Sequence, residues 1–175
     1  GKALQRLSWV SASIVIVYTY IARSECFMID QEQLGQEGLD IEAVREYFVA
    51  DEFATKCLGA RVDSCEIGKG VVSMKLDDRH HNAQGFVQGG VIMSLCDFAL
   101  AVASNSGQVP CCSINHSCDM LRRAKGERLI GVATSTKEGR NLCFYEINVY
   151  DELGTHVARM NATTMRTPYV ASSGN

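Results

Sequence analysis

Between His80 and Gly107, in HHNAQGFVQGGVIMSLCDFALAVASNSG, two kinds of reactive group stand a short distance apart. In the stretch VIMSLCDFALAVA only Ser94 and Asp97 are polar, and the positions three or four residues from Asp97 include Met93, Leu100 and Ala101. A carboxylate with so little local help must be hydrogen-bonded, open to a cavity, or partly protonated. Two roles fit it: a tie to the N–H groups of a neighbouring loop, or an acid or base that does chemistry.

The other group is Gln88-Gly89-Gly90, just before the apolar run. If a helix starts there, its first-turn N–H groups lack intrahelical partners and its dipole is positive, which suits an anion or a developing oxyanion. Glycines let a substrate approach that backbone closely, so the N–H of Gly89 or Gly90 could polarise a carbonyl. A tight loop-to-helix bend explains the same glycines without chemistry. Asp97 lies seven positions beyond Gly90, roughly 10 Å along a helix. One chain cannot easily bring both to one atom, whereas a two-fold dimer could set the helix start of one copy beside Asp97 of the other.

The elements that must position these groups follow from periodicity. GLDIEAVREYFVADEFATKCLG places Ile41, Val44 and Phe48 on one helical face behind an Asp40 N-cap, with a break near Asp51 and a shorter turn after it. KCLGARVDSCEIGKGVVSMKLD predicts two strands turned at Gly68-Lys69-Gly70. After a loop over 77–88 comes the apolar helix, about Gly89 to Ser106, stopped by Gly107. Four strands follow in CCSINHSCDML, GERLIGVATSTKE, NLCFYEINVYD and GTHVARMNATTMRT, with Pro110 and Pro168 outside them. A helix apolar all round must be enclosed, and an antiparallel sheet of about six strands is wide enough to wrap it. The expectation is an α+β domain with the helix as filling.

The 175 residues, 46% apolar and 21% charged, suit a single domain. The net charge of -3, with no basic run longer than Arg122-Arg123, argues against a nucleic-acid partner. Eight cysteines are scattered without C-x-x-C or zinc spacing; they suggest small core hydrophobes in a reducing cytoplasm, and no metal. The apolar segment Trp9–Ala22 is fourteen residues, short of the roughly 20 that span a bilayer. RSEC after it offers no small-x-small cleavage site, and the first methionine is Met28. Residues 1–27 are therefore expected to be an extension outside a domain of residues 28–175, with no membrane partner.

The pattern N-x-x-G-x-x-Q-G-G-x-x-x-x-L-x-D-F-A-x-A-x-A-S-N-S, Asn82 to Ser106, closely resembles the hotdog acyl-CoA thioesterases of the phenylacetate-degradation, or PaaI-like, type. The likeness extends over roughly Ile41 to Thr167, including the G-x-x-V-A of Gly154–Ala158. It implies a hotdog fold, hydrolysis of an acyl-CoA to free acid and CoA, a homodimer or dimer of dimers, and no cofactor beyond the CoA of the substrate. It further implies that Gly89 and Gly90 polarise the thioester carbonyl, while Asp97 of the partner copy attacks it or activates water. Asn82, Gly85 and Phe86 would line the site. Arg140 and Asn141, after the fourth strand, are implied for CoA, with Arg122, Arg123 and Lys125 as further phosphate candidates.

Gln88 departs from the pattern, because many members carry His there. Glutamine cannot act as a general base, but its amide can donate to a carbonyl oxygen or hold a loop; His80 and His81 stand nearby. A second function compatible with the resemblance is acyl-CoA binding without turnover, with Gln88 marking the lost chemistry. Asp97 argues against that reading. A hotdog hydratase would want a His/acid pair at the helix entrance, which Gln88 does not supply. Phe86, Met93, Phe98 and Met120 are candidates for the acyl pocket, and Cys96 is expected in the core.

Overall fold

The computed structural model describes residues 39–167, so Trp9–Ala22, the expected boundary at Met28 and Pro168 lie outside the described residues. Helix α1, Ile41–Phe48, begins where the Asp40 side chain accepts from the Glu42 N–H, and it buries Val44 and Phe48 one turn apart. Arg45 fixes it to the sheet by donating from Nε to the Val62 carbonyl at 2.9 Å. The expected shorter turn is a π-helical one, Phe53–Cys57. It uses up the residues from Lys56 that the alternation had placed in a strand.

Strands β1, Ala60–Glu66, and β2, Lys69–Lys75, pair antiparallel with Glu66 opposite Lys69. The hairpin therefore turns at Ile67-Gly68, one residue earlier than the glycine spacing predicts. A 3-10 turn, Asp78–His80, leads to helix α2, Gly89–Asn105. Strands β3, Cys111–Met120, β4, Arg128–Glu138, β5, Leu142–Asp151, and β6, His156–Arg166, complete one antiparallel sheet in the order β1-β2-β4-β5-β6-β3. This is the α+β arrangement expected from the order of elements.

Helix α2 lies on the sheet through Leu95, Ala99, Val102 and Ala103, over Val72, Leu129, Ala133 and Ile147, all fully buried. Gly70 of β2 permits this closeness, because a Cβ there would stand 2.9 Å from the Ala103 nitrogen and 3.0 Å from the Ala99 oxygen. The helix is nevertheless not enclosed on every side. Gly90, Met93 and Asp97 are exposed, and Ser94 and Ala101 are half-buried, forming one outward stripe at helical spacing. Beside it, β3 is a sheet edge whose residues are mostly exposed, Ile114 and Met120 among them. An apolar average over the whole helix had concealed that stripe.

Among the described residues no helix is long and apolar enough to cross a membrane. The cysteines there are all free thiols. Only Cys96 and Cys143 are buried, so the expectation of core cysteines holds for these two and not for the exposed Cys57 and Cys112.

Candidate active site

Gln88 is the N-cap of α2, with its extended backbone (φ -68°, ψ 133°) turning the chain into the helix. Its N–H donates to the His80 carbonyl at 2.9 Å, and its side-chain Oε1 accepts from the Val91 N–H at 3.1 Å. The Gln88 backbone oxygen takes the Val91 and Ile92 N–H groups. No described residue accepts from the Gly89 or Gly90 N–H, as first-turn donors require unless a ligand or water meets them. Gly90 has a further reason to be glycine: a Cβ there would fall 2.6 Å from the Gln88 Oε1. Gln88 thus builds the helix start instead of titrating beside it.

The preceding loop is knotted by Asn82, whose Oδ1 accepts from the Gln84 N–H at 2.9 Å and the Phe86 N–H at 3.1 Å. Its own N–H donates to the Phe86 carbonyl at 2.8 Å. Gly85, at φ 78°, supplies the left-handed residue that closes this loop. His80 is 2% exposed, and its Nδ1 accepts the Asp77 N–H. It is a buried structural residue. His81 is exposed, with Nδ1 2.9 Å from the Asp77 carbonyl oxygen. The Arg79 guanidinium beside Asp77 holds that carboxyl down at about 2.

An open groove of about 800 Å³ runs in front of the helix start, lined by Gly85, Phe86, Gly89, Met120, Arg122 and Arg123 among others. The Arg123 guanidinium stacks 3.5 Å from the centroid of the Phe86 ring, which fixes a cation at the groove wall. The segment carrying these arginines is clamped by two acids that the motif reading overlooked. Asp151, 2% exposed, accepts from the N–H groups of Lys125 and Gly126 through Oδ2, and from Leu153 and Thr155 through Oδ1. Burial alone would raise its pKa, but these N–H donors outweigh burial and hold the carboxyl at about 2. Glu152 takes the Glu127 and Arg128 N–H groups. An acid followed at once by the turn in DELG was the available signal for both.

Asp97 does not line this groove. Its side chain is 59% exposed on the outward stripe of α2, and its Oδ1 stands 3.5 Å from the Nε2 of His116 on β3. The expectation of a buried carboxylate is therefore replaced by one held on a face open in the single chain. A His/acid pair does exist here, but at mid-helix and not at the helix entrance. Arg140 and Asn141 sit in the β4–β5 turn at the opposite end of α2: the Asn141 carbonyl accepts from Arg166, which pairs with Cys111, whose N–H donates to Asn105 at the helix end. One chain thus unites Gly85, Phe86, Gly89, Arg122 and Arg123, and leaves Asp97, Arg140 and Asn141 apart from them. Phe98 is 2% exposed and packs edge-on against Phe48, so it belongs to the core and not to an acyl pocket. Cys96 is buried as expected, and burial pushes its thiol far up, away from nucleophilic use.

A family model described as the thioesterase superfamily matches residues 84–158. A protein of Archaeoglobus fulgidus, named as a candidate esterase, is 29% identical over 127 residues, covering 72% of this chain and 82% of that one. The phenylacetic acid degradation protein PaaI of Thermus thermophilus, solved as a variant, superposes with a TM-score of 0.61 at 27% identity, covering 65% of this chain and 97% of its own. A Streptococcus mutans protein solved with acetyl CoA superposes with a TM-score of 0.58 at 27% identity, covering 61% and 86%.

Proposed function

We propose that this chain, which matches the thioesterase superfamily model over residues 84–158 and has the PaaI-like hotdog fold, hydrolyses an acyl-CoA thioester at a site shared between two copies. The observation that carries this reading is the pair of unclaimed N–H groups, Gly89 and Gly90, at a helix start where Gly89 faces the groove. A thioester is already an activated acyl group, so two such donors and one carboxylate suffice without a serine or cysteine nucleophile. The acetyl CoA held by the Streptococcus mutans relative supports the substrate class. Arg122 and Arg123 line the groove, which supports their assignment to the CoA phosphates.

The second copy supplies the carboxylate. Among the described residues β3 has an unpaired edge, and such an edge pairs readily with a copy of itself in antiparallel register, an isologous contact. The exposed apolar residues Met93, Ile114 and Met120 on α2 and β3 would be covered by it. Two α2 helices brought together in this way run antiparallel, so the start of one lies beside the middle of the other. Asp97 of the partner copy then faces the carbonyl held at Gly89, and Arg140 and Asn141 approach from the partner's helix end.

In the reaction Asp97 takes a proton from water as the water oxygen attacks the carbonyl carbon. The carbonyl electrons move onto oxygen, where the Gly89 and Gly90 N–H groups stabilise the oxyanion. Collapse of that intermediate breaks the C–S bond, and the proton on Asp97 passes to the departing CoA thiolate. Water and acyl-CoA become free acid and CoA.

The test is loss of thioester, followed by chromatography across a panel of short, medium and aromatic acyl-CoAs, for the wild type and Asp97→Asn. Chromatography is preferred to thiol-reactive dyes because the chain's eight cysteines would add background. Hydrolysis that vanishes with Asp97 supports the proposal. Tight acyl-CoA binding with no hydrolysis in either protein would make this a binder.

A further inference from the structure

The replacement of the usual imidazole by Gln88 removes a titrating group from the helix start, yet an imidazole stands at the other half of the site. β3 runs antiparallel along α2. At one end the Met120 Cε lies 3.6 Å from where a Gly89 Cβ would be, and further along His116 Nε2 lies 3.5 Å from Asp97 Oδ1. Eight helical residues rise about 12 Å and four strand residues about 13 Å, so the two elements stay in step and every second β3 residue from Met120 faces the helix. That places Met120, Cys118 and His116 on the helix side, with His116 beside the acid.

Asp97 needs such a neighbour. The contact to His116 is the one polar side-chain contact recorded for it among the described residues, and a mid-helix carboxylate 59% exposed is otherwise free to rotate. The His116 side chain is less open, at 26% exposed. Among the described residues the groups facing it are Asp97 from α2, Cys118 two residues along its own strand, and on β6 Ala162 with Asn161 and Thr163 alongside. Asp97 is the only carboxylate in that set.

We propose that His116 is a positioning residue for Asp97: its Nε2, 3.5 Å from Oδ1, holds the carboxylate so that Oδ2 turns toward the reacting water. This rests on the thioesterase reading of the same site.

Two measurements separate this proposal from the reading it rests on. The first uses no substrate: NMR spectra of the imidazole C–H signals, with only four histidines to assign, in wild type and Asp97→Asn. Loss of the carboxylate is expected to move the His116 signals; unchanged signals mean that the contact is absent in solution and overturn the proposal. The second is kinetic. His116→Ala is expected to lower kcat about tenfold, with KM within about twofold. His116→Gln, which keeps an N–H donor at that position, is expected to recover most of kcat. A His116→Ala enzyme with wild-type kcat overturns the proposal even where NMR finds the contact. If no wild-type hydrolysis is found, the thioesterase reading fails, and the NMR result alone decides whether His116 holds Asp97.

Discussion

Asp97 and Asp151 are both carboxylates on an otherwise apolar framework, and they have opposite surroundings. Asp151 is 2% exposed, and both its oxygens are saturated by four backbone N–H groups. Asp97 is 59% exposed, with one contact at 3.5 Å. A carboxylate whose lone pairs are all taken by fixed donors is a structural joint, because nothing remains for a substrate and its proton affinity is suppressed. One left with open lone pairs on a helix face can still meet water or substrate. The fold uses the first to hold the wall of the groove, and the second is the carboxylate proposed for chemistry.

The contrast can be broken by making the same substitution at both sites. Asp97→Asn is expected to lower kcat by about 10²- to 10⁴-fold, while the thermal midpoint stays close to wild type. Asp151→Asn should do the reverse, since an amide nitrogen would face N–H donors; a loss of about 2–3 kcal/mol follows, read as a lower urea midpoint. Its main kinetic effect should be a raised KM through a loosened Lys125–Glu127 segment. If Asp151→Asn abolished turnover with stability intact, the division of labour would be wrong.

Gly89→Pro sharpens the same point at the helix start. Gly89 is the first helical residue, where proline is well tolerated, and the extended backbone of Gln88 suits a following proline. A Cβ there meets only the Met120 Cε at 3.6 Å. The substitution deletes one N–H with little disturbance, and kcat should fall by about 10²- to 10³-fold if that donor meets the oxyanion. An unaltered kcat would leave Gly90 alone in that role.

The smallest effect is on acid stability. The folded-state pKa of Asp151 is depressed to about 2, against roughly 3.9 in an unfolded chain. Its contribution is therefore complete above the unfolded value and is lost as pH falls through the folded one. Urea midpoints measured from pH 5 down to pH 2 should fall less steeply in Asp151→Asn than in the wild type.

How much of this was legible in the sequence depends on whether a local signal existed. Alternation and turn residues placed β3 to β6 closely, and the Asp40 cap placed α1. The Gly-Gly start of α2 was legible for the same reason. The outward stripe of α2 was not, because mean hydropathy hides a few exposed positions among many buried ones. The match of His116 to Asp97 depends on how β3 lies along the helix, and nothing within either segment specifies that. Gln88 could be recognised as a departure, but its use as an N-cap required the loop geometry that Asn82 and Gly85 impose.

The central claim, a site completed by the partner copy, is tested most directly with two inactive proteins carrying different affinity tags, Gly89→Pro and Asp97→Asn. Mixed dimers isolated through both tags contain one site in which an intact helix start meets an intact Asp97. They should hydrolyse acyl-CoA at about half the wild-type rate per dimer, although neither parent does. Mixed dimers as inactive as their parents would contradict the shared site and return Asp97 to its own chain.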